Sequence, residues 1–416
     1  MRGKNVVVVG GSIAGCASAI LLQRLGANVT ILEQSSGRIG QGSGITLPEA
    51  VVNQCIENDL FDADIPRLLV TSRSFVRKNE QEEPDDQVFW RQAIRVMTLN
   101  WTDAYQNLRK RVESLNYHTN AEVCRFEETQ DNCLVETTDG KVYNADLVIV
   151  ADGVDSTVRA HLLPKSQPEY AGYVAWRGVI DNDHLASNPL FHEHIPYSVY
   201  PHGHILLYRI PGANYQKTGK TLLNWVMYED RRGLSLNNLL IDNEGKQRTR
   251  SLPAGTLTVE HMQYLHNFAQ VLPSAIKQII METPRPFIQA IFDFHLSAYA
   301  SNRVIFVGDA AATLRPHTAS GVFKALANGF ELVHLVESNP ELKLIDYVSL
   351  WKQNQQQQLI EETQKAKAMG DALVSHTPEW YLMDQESTDA WWAKVMQGKV
   401  WYATSNEGEC PLLNQA

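Results

Sequence analysis

The sequence contains few cysteines, and those present are widely scattered. Five occur among 416 residues, Cys16, Cys55, Cys124, Cys133 and Cys410, and no two form a CxxC pair. An odd number without paired spacing argues against a disulfide framework and against a zinc site. We therefore expect a chain that binds no metal and works in a reducing compartment, the cytoplasm.

Long apolar runs and clusters of positive charge are also missing. No stretch reaches the ~18 apolar residues that a membrane span needs, and Met1 leads into the strand-like NVVVVG without a cleavable signal. The formal net charge is -10, and no Lys/Arg-rich segment offsets it. We therefore expect neither a membrane nor a nucleic acid among the partners of this chain.

The pattern of apolar residues indicates an α/β fold with two interleaved domains and a helical C-terminal region. Two Val-rich runs enclose a helical segment within residues 5–33, which predicts β-α-β and a parallel sheet. Residues 146–153 and 302–311 supply further strands of that kind. Residues 170–228 are rich in aromatic and β-branched residues, which predicts an antiparallel sheet on the substrate side.

Other segments are predicted from local composition. Residues 216–220 and 237–250 are typical of surface loops, and residues 137–145 (TTDGKVYNA) of a hairpin. Residues 260–280 predict one helix that ends before Pro284. The chain from Ile345 onward has a helical pattern, with QNQQQQL as a solvated face.

A glycine-rich turn follows the first strand. Gly10-Gly11-Ser12-Ile13-Ala14-Gly15 stands between strand and helix, where Gly10 permits a tight turn and Gly15 permits close packing of the helix. Such a helix N-terminus receives a pyrophosphate, although Ser12 replaces the usual middle glycine. Glu33 ends the next strand at about the ~20-residue spacing of a carboxylate that binds an adenosine ribose. The unit predicts binding of FAD or NAD rather than NADP, although a similar turn and acid also occur in α/β proteins without a nucleotide.

Two further motifs end strands with an acid. The first is Asp152-Gly153-Val154-Asp155-Ser156-Thr157-Val158-Arg159, and the second is Gly308-Asp309-Ala310-Ala311, followed by Arg315-Pro316-His317 and Gly321. Acids at the carboxyl ends of parallel strands lie where an open α/β sheet forms its binding crevice. A helix beginning near Val322 would direct free N–H groups at a partly negative flavin edge.

GGSIAG with Glu33, DGVDSTVR and GDAA…RPH…G together resemble the three fingerprints of the FAD-dependent aromatic hydroxylases, the single-component monooxygenases of the para-hydroxybenzoate hydroxylase type. The resemblance covers most of residues 1–340. Within the family, YAGYVAWRGVI and residues 308–325 are similar to the 2,6-dihydroxypyridine 3-hydroxylases. The resemblance implies a Rossmann-like FAD-binding domain at residues 1–75, 96–165 and 290–345, a substrate domain at 76–95 and 166–289, and a helical region at 346–416.

The resemblance also implies an FAD site made by all three motifs. In it, Gly10, Ser12, Gly15 and Glu33 would hold the ADP half, Asp309 would bind the ribityl or pyrophosphate region, and Pro316 with the backbone of Gly321, Val322 and Phe323 would border the isoalloxazine. Asp152 and Arg159 match a motif shared by FAD and NAD(P)H. Further expected cofactor-binding residues are Ile13, Ala14, Gln34 and Gly308. Three positions depart from the family pattern, namely Trp101, Ala312 and Phe323. Arg38 or Arg109 would supply the positive charge that Trp101 lacks, unless both are ordinary surface arginines.

No second complete glycine fingerprint is present, so NAD(P)H must reduce the flavin transiently instead of occupying a domain of its own. The resemblance implies that reduced FAD forms a C4a-hydroperoxide with O2, which hydroxylates a small, electron-rich aromatic or N-heteroaromatic ring. Epoxidation or decarboxylative hydroxylation would be related outcomes. Three rival functions are a flavin oxidase or dehydrogenase, an NAD-dependent dehydrogenase without flavin, and a non-catalytic FAD-binding redox protein.

A group that accepts the proton of a substrate hydroxyl would assist this chemistry. His202, His204 and Tyr208 would share one face of a strand and line a pocket, or else lie on the outer face. His317 follows Pro316 in the loop that the resemblance places beside the flavin, where it either holds the loop or contacts substrate. Trp176, Tyr200 and Trp225 are expected to be core or pocket wall, as are several other aromatic residues of the region.

The segment 380–402, WYLMDQESTDAWWAKVMQGKVWY, is apolar and aromatic enough to dock against something. It packs either on its own FAD-binding domain or on a second copy of the chain, since aromatic residues favour interfaces. A homodimer is therefore one expectation.

Overall fold

A computed structural model of the chain describes residues 1–36, 43–81, 84–113, 115–181, 188–192, 194–297, 301–399 and 401. The strands are β1 (Asn5–Val9), β2 (Asn28–Leu32), β3 (Gly44–Pro48), β4 (Leu68–Lys78), β5 (Asp86–Asn100), β6 (Asn116–His118), β7 (Val123–Glu128), β8 (Cys133–Thr137), β9 (Val142–Ala145), β10 (Leu147–Val150), β11 (Glu169–Ile180), β12 (His194–Tyr200), β13 (Gly203–Pro211), β14 (Thr221–Asp230), β15 (Ser251–Leu252), β16 (Phe287–His295), β17 (Val304–Phe306) and β18 (Ala312–Thr313). The helices are α1 (Ile13–Arg24), α2 (Glu49–Glu57), α3 (Trp101–Arg111), α4 (Thr157–Leu162), α5 (Tyr215–Thr218), α6 (Leu236–Leu239), α7 (Val259–Phe268), α8 (Ser274–Glu282), α9 (Ser320–Ser338), α10 (Leu344–Gly370) and α11 (Gln385–Met396).

Five strands form a parallel sheet in the order β17-β10-β1-β2-β6. The Val-rich β1 pairs in parallel with β2 and with β10. All four residues of β10 are buried, as expected for a central strand covered on both faces. The predicted β-α-β unit and the two later strands of the sheet are therefore confirmed.

The second sheet is ten-stranded and mostly antiparallel. Its main order is β15-β16-β11-β14-β13-β12-β4-β5-β3, with β18 added to β16. Successive residues of a strand face opposite sides, and here one side packs against α7 and α8. Trp176 and Trp225 lie in that helix-covered core. The predicted antiparallel sheet is confirmed, and the opposite side of it is free to form a site.

Several local predictions need correction. The helix predicted over residues 260–280 is two helices, α7 and α8, because Pro273 cannot continue a helix and stands at the start of α8. The two predicted loops contain the short helices α5 and α6. The predicted hairpin is confirmed as β8 and β9.

The Gln-rich stretch of α10 is only partly solvated. Gln355 is buried, accepts a hydrogen bond from Trp351 Nε1 and donates one to the carbonyl of Phe306 in the parallel sheet. The expectation of a uniformly solvated face is wrong at this position, because one residue per turn of an amphipathic helix points inward. Gln355 thereby ties the C-terminal helix to β17.

The predicted domain boundaries stay predictions. Strands β4 and β5 run across the boundaries expected near residues 75 and 95, and both belong to the ten-stranded sheet over their whole length. Among the described residues, no helix is both long and apolar enough to span a membrane.

Candidate active site

The glycine-rich turn connects β1 to α1 with almost no space for side chains. Gly10 has φ +98°, and a Cβ on it would lie 2.4 Å from the carbonyl oxygen of Ala151. A Cβ on Gly15 would lie 1.9 Å from the carbonyl oxygen of Gly10. The positive φ and the two close approaches explain why glycine is needed at these positions. Ser12 caps α1 with extended backbone and without a side-chain hydrogen bond, so its hydroxyl is available to a ligand.

The Glu33 carboxylate lies beside the turn. Its Oε2 accepts the Gly11 N–H at 2.7 Å and its Oε1 accepts the Ser35 N–H at 2.8 Å. Ser12, Glu33 and Gln34 line one cavity of about 220 Å³ together with Asp152. The predicted ribose carboxylate and the predicted phosphate-binding turn therefore share one cavity, whereas Ile13 and Ala14 are buried in α1.

Arg109 reaches the same turn from α3. Its guanidinium lies 3.9 Å from the ring centre of Tyr117, whose hydroxyl donates to the Gly11 carbonyl at 3.2 Å. Arg109 Nη1 is buried and makes no hydrogen bond within the described chain. Arg109 as a whole is half-buried. Its buried, unsatisfied Nη1 next to a phosphate-binding turn fits a dinucleotide, and a role for Arg109 at the cofactor stays a prediction. Arg38 lies outside the described residues.

Asp152 and Arg159 of the second motif have separate environments. Asp152 Oδ2 accepts the Thr157 N–H at 2.9 Å, while its Oδ1 is buried without a partner in the described chain. Burial raises the pKa of this carboxyl. Arg159 is buried and does not line the 220 Å³ cavity. It donates to the carbonyls of Val154 and Ala310 and thereby joins the second motif to the third.

The third motif approaches the first. Gly308 has φ +57°, and a Cβ there would lie 2.8 Å from Cβ of Ala14 in α1. Asp309 follows at the mouth of a second cavity, with its Oδ1 3.6 Å from Nζ of the buried Lys324. Burial lowers the pKa of Lys324. The close contact between the two glycine-containing segments brings Asp309 near the N-terminus of α1.

The second cavity has a volume of about 540 Å³ and lies between the parallel sheet and the uncovered side of the large sheet. Pro316, Gly321 and Val322 line it at the N-terminus of α9, where the first backbone N–H groups have no intrahelical partner. Phe323 is buried in the core instead, so its side chain is not part of the lining. The opposite wall consists of strand residues: Tyr197, Leu206, Tyr208, Val226, Tyr228, Arg177 and Gln289.

His317 lies in the cavity wall and is almost fully buried. Its Nε2 shares a 2.9 Å hydrogen bond with the hydroxyl of Tyr173, while its Nδ1 is buried without a partner among the described residues. Burial, with contributions from His204 and Arg315, holds the pKa of His317 well below its usual value. The imidazole is therefore neutral near pH 7. It braces the loop through Tyr173 and lines the cavity, while its contact with a substrate stays a prediction.

His204 and Tyr208 both lie on the inner side of β13, as one alternative predicted, but only Tyr208 lines the cavity. His204 is buried one layer behind, with ring centres 5.4 Å from His317, and its Nδ1 donates to the Leu373 carbonyl at 3.2 Å. Burial lowers the pKa of His204 to about 3. The prediction that His202 shares this face is wrong, because it is exposed in the turn before β13 with φ +61°.

The loop that carries His317 is held by Arg315. Its guanidinium donates to Asp293 on β16 at 2.8 Å and to Asp371 at 2.6 Å. Asp371 begins a π-helical turn, Asp371–Ser375, that also supplies the carbonyl for His204. A Cβ on the neighbouring Gly370 would lie 2.7 Å from Arg315 Cδ. The C-terminal region thus positions both histidines.

Another close approach narrows the far end of the cavity. Asn224 Oδ1 accepts the Gly44 N–H at 2.9 Å. A Cβ on Gly44 would lie 2.5 Å from Cε2 of Tyr208 and 2.8 Å from Cγ of Asn224. The Gly44 backbone therefore packs directly against two side chains of the wall.

The aromatic C-terminal segment folds back on its own chain. Trp392 and Trp380 are buried against β4 and β5 side chains, including Phe75 and Trp90. Trp401 lines the 540 Å³ cavity and donates its indole N–H to the Thr318 carbonyl at 2.9 Å. The segment therefore packs mainly on the large sheet, and its aromatic rings no longer argue for a dimer.

Several wall residues were not predicted from sequence. Tyr197, Tyr228 and Trp401 are far apart in sequence and belong to none of the three motifs. Tyr173, which lies behind the lining and holds His317, was not predicted either. Alternation along β12, β13 and β14 was the available signal, since it selects Tyr197, Tyr208 and Tyr228 once the inner side is known.

Comparisons with known proteins agree with the site. A family model described as FAD binding domain-like matches residues 170–293. The 2,6-dihydroxypyridine 3-monooxygenase of Paenarthrobacter nicotinovorans is 27% identical over 89% of this chain and 91% of its own length. The 6-hydroxynicotinate 3-monooxygenase of Bordetella bronchiseptica is 25% identical over 94% of this chain and 95% of its own. The solved structure of 2,6-dihydroxypyridine-3-hydroxylase from Arthrobacter nicotinovorans matches with a TM-score of 0.81 at 26% identity, covering 90% of this chain and 93% of that one. With the three motifs brought together as described, the chain is similar over most of its length to FAD-dependent aromatic hydroxylases.

Proposed function

We propose that this chain uses FAD, NAD(P)H and O2 to hydroxylate a small, electron-rich aromatic or N-heteroaromatic ring. The observation that carries the proposal is the continuity of the 540 Å³ cavity, which runs from Asp309 and the N-terminus of α9 to the tyrosine-lined wall of the large sheet. A ring bound at that wall faces the region that the flavin motifs enclose. The volume of the cavity is in the usual range of small-molecule sites, about 300–1,000 Å³.

The residues present fit FAD. The Gly10–Gly15 turn and Glu33 would hold the ADP half, since glycine is needed there and the carboxylate lies in the adjoining cavity. Arg109 Nη1 and Asp152 Oδ1, both unsatisfied, would gain partners from the bound cofactor. Bound FAD supplies the redox chemistry, accepting a hydride from NAD(P)H and then activating O2 for transfer to a ring.

The protein residues orient the ring and keep water away. Ile94, Val96, Leu206 and Val226 make much of the cavity wall apolar. A water-poor site strengthens each electrostatic contact that a substrate makes. Tyr208 and Tyr228 offer hydroxyls that hydrogen-bond a polar ring substituent.

His317 is the proposed proton acceptor. A neutral imidazole accepts a proton from a ring hydroxyl near neutral pH, which makes the ring more electron-rich at the moment of attack. Tyr173 fixes the imidazole through the 2.9 Å hydrogen bond. The N-terminus of α9 favours negative charge developing at the adjoining end of the cavity.

We further propose hydroxylated pyridines and phenols as the first substrates to test, because the named relatives act on 2,6-dihydroxypyridine and 6-hydroxynicotinate. Cysteine usage supports a reducing cytoplasm, since the four described cysteines form no disulfide. A homodimer stays a proposal.

The visible spectrum of the purified protein and its NAD(P)H consumption under air test the function. We expect a yellow protein whose NAD(P)H oxidation is stimulated by some member of a phenol and hydroxypyridine panel, with an oxygenated product by mass spectrometry. Substrate-driven flavin reduction without NAD(P)H would instead identify an oxidase or dehydrogenase. Flavin without any turnover would identify a non-catalytic redox protein.

A further inference from the structure

Arg73 is a fully buried arginine on β4 that is surrounded by aromatic rings. Its Cζ lies 4.1 Å from the ring centre of Trp392, 4.6 Å from Trp401 and 5.6 Å from Tyr197. Trp90 and Phe75 complete the surroundings at 5.0 and 5.8 Å. These five rings and the guanidinium are called the arginine cage below.

The charge in the arginine cage has no counter-charge within the described chain. Arg73 Nε donates to the neutral Gln92 Oε1 at 2.8 Å, while Nη1 and Nη2 are buried and make no hydrogen bond. Burial lowers the pKa of Arg73 to about 10, and the nearby Tyr197 hydroxyl acts against that decrease. Arg73 is therefore a cation at neutral pH.

Other arginines at the cavity are compensated or lie elsewhere in its wall. Arg315 is paired with two aspartates, and Arg250 is paired with Asp155. Arg177 donates to Gln289 Oε1 at 2.8 Å. Burial raises the pKa of Tyr208, and the charge of Arg177 acts against that rise. Arg73 is distinguished by complete burial directly behind the cavity lining.

Two members of the arginine cage, Tyr197 and Trp401, separate Arg73 from the cavity, because both also line it. The positive charge therefore acts on the cavity across a single layer of side chains. Little water intervenes there, so the charge is weakly screened. It also polarises the Tyr197 hydroxyl and makes it a stronger hydrogen-bond donor.

Packing alone does not account for an unpaired cation at this position. Burying a charge without a partner is costly, and an apolar residue of similar volume would serve the contacts between β4 and the tryptophans equally well or better. Cation–π contacts offset part of that cost. An anion bound nearby would offset the rest of the free-energy cost of burying the Arg73 charge.

We propose that Arg73 selects a ring substrate that carries a negative charge, as a carboxylate or as an ionised hydroxyl, and that it acts through Tyr197 at the cavity wall. The inference rests on the proposed function and makes Arg73 a positioning residue. It predicts which members of a substrate panel bind, independently of the rate of the chemical step.

The test measures equilibrium binding to the FAD-loaded protein. Binding is monitored through the change in the flavin absorbance. The ligands are a hydroxypyridine carboxylate and its uncharged carboxamide, and a dihydroxypyridine titrated below and above the pKa of its ring hydroxyl. Wild-type protein is expected to prefer an anionic form by about tenfold or more. Arg73→Met keeps the volume and removes the charge, and Arg73→Lys keeps the charge.

We expect Arg73→Met to reduce the preference to about threefold or less while its melting temperature stays equal or rises, and Arg73→Lys to restore most of the preference. A clearly lowered melting temperature in Arg73→Met with the preference intact would overturn the inference in favour of a packing role. Loss of the preference in Arg177→Met but not in Arg73→Met would move the charge to Arg177 and also overturn it.

The two proposals fail in different ways. A protein that hydroxylates only uncharged rings refutes the inference and leaves the hydroxylase function standing. A yellow protein whose NAD(P)H oxidation responds to no ring refutes the function. Binding of the carboxylate with an Arg73-dependent preference would then still support the anion site.

Discussion

The glycine-rich turn and the tyrosine-lined wall solve two binding problems with different materials. The turn is made of backbone from residues that are adjacent in sequence, and a Cβ added at Gly10 or Gly15 collides with a neighbouring carbonyl. The wall is made mostly of side chains, which come from residues as far apart as Ile45 and Trp401. The turn therefore tolerates almost no substitution, while the wall admits other residues and thus other substrates.

Gly15→Ala should have the largest effect, because it adds a methyl group 1.9 Å from the Gly10 carbonyl oxygen. We expect the purified protein to lose its FAD and the free energy of unfolding to fall by about 2–3 kcal/mol. Flavin absorbance and urea unfolding measure both. Gly140→Ala is the control: its Cβ meets nothing in the hairpin turn, but φ +82° strains the backbone, so the protein should lose some stability and still stay yellow. A yellow Gly15→Ala protein would contradict the strictness assigned to the turn.

His317→Gln should lower kcat by about 100-fold, since the amide cannot accept the proton of a ring hydroxyl. The flavin spectrum should be unchanged, because the substitution lies in the wall. Tyr173→Phe leaves the imidazole in place and removes its hydrogen bond, so kcat should fall less and the pH profile should shift. Steady-state kinetics across pH provide the measurement. Nearly wild-type kcat in His317→Gln would remove His317 from the mechanism.

The burial of His204 behind the wall should also make the stability of the protein sensitive to acid. Burial lowers the pKa of His204 to about 3 in the folded protein, so the unfolded chain binds the proton more readily. Stability is then fully present above about pH 6.5 and is lost as the pH falls towards the folded-state pKa. At pH 5 this histidine should cost about 2 kcal/mol.

Urea unfolding at pH 5 and 7.5 measures that loss. His204→Gln should flatten the difference by roughly this amount, about 2 kcal/mol. His202→Gln, at an exposed turn two residues away, is the matched control and should behave as wild type. Equal pH dependence in both variants would show that His204 does not set the acid sensitivity.

Gly44→Ala should have the smallest effect of the four. The new Cβ would lie 2.5 Å from Tyr208 Cε2 and 2.8 Å from Asn224 Cγ, which is closer than real Cβ contacts, so both side chains must move. We expect KM for the ring substrate to rise about tenfold, with FAD content unchanged. Unaltered KM would show that this end of the cavity is empty during turnover. Lost FAD would show that Gly44 belongs with the cofactor site.

The parts predictable from sequence are those with local causes. Gly10, Glu33 and Asp309 were found because the strand, turn and acid follow one another at fixed spacing. His202 was wrongly placed on the inner face because the strand begins only at Gly203. A sequence pattern does not fix the first residue of a strand. Neither the wall residue Trp401 nor Tyr173, which holds His317, was predicted as part of the site. Their positions depend on how two sheets and a C-terminal helix pack, and no local pattern encodes that.

The position of Trp401 has a consequence for the order of folding. The β-α-β unit forms through contacts within about 30 residues. The cavity closes only when Trp401 contacts Thr318 and Arg73. Contacts that are distant in sequence form late, because the loop between them must be ordered first. During synthesis the nucleotide-binding turn can thus fold while the substrate cavity is still open. Slow maturation of activity after early flavin uptake would be the kinetic signature of that order.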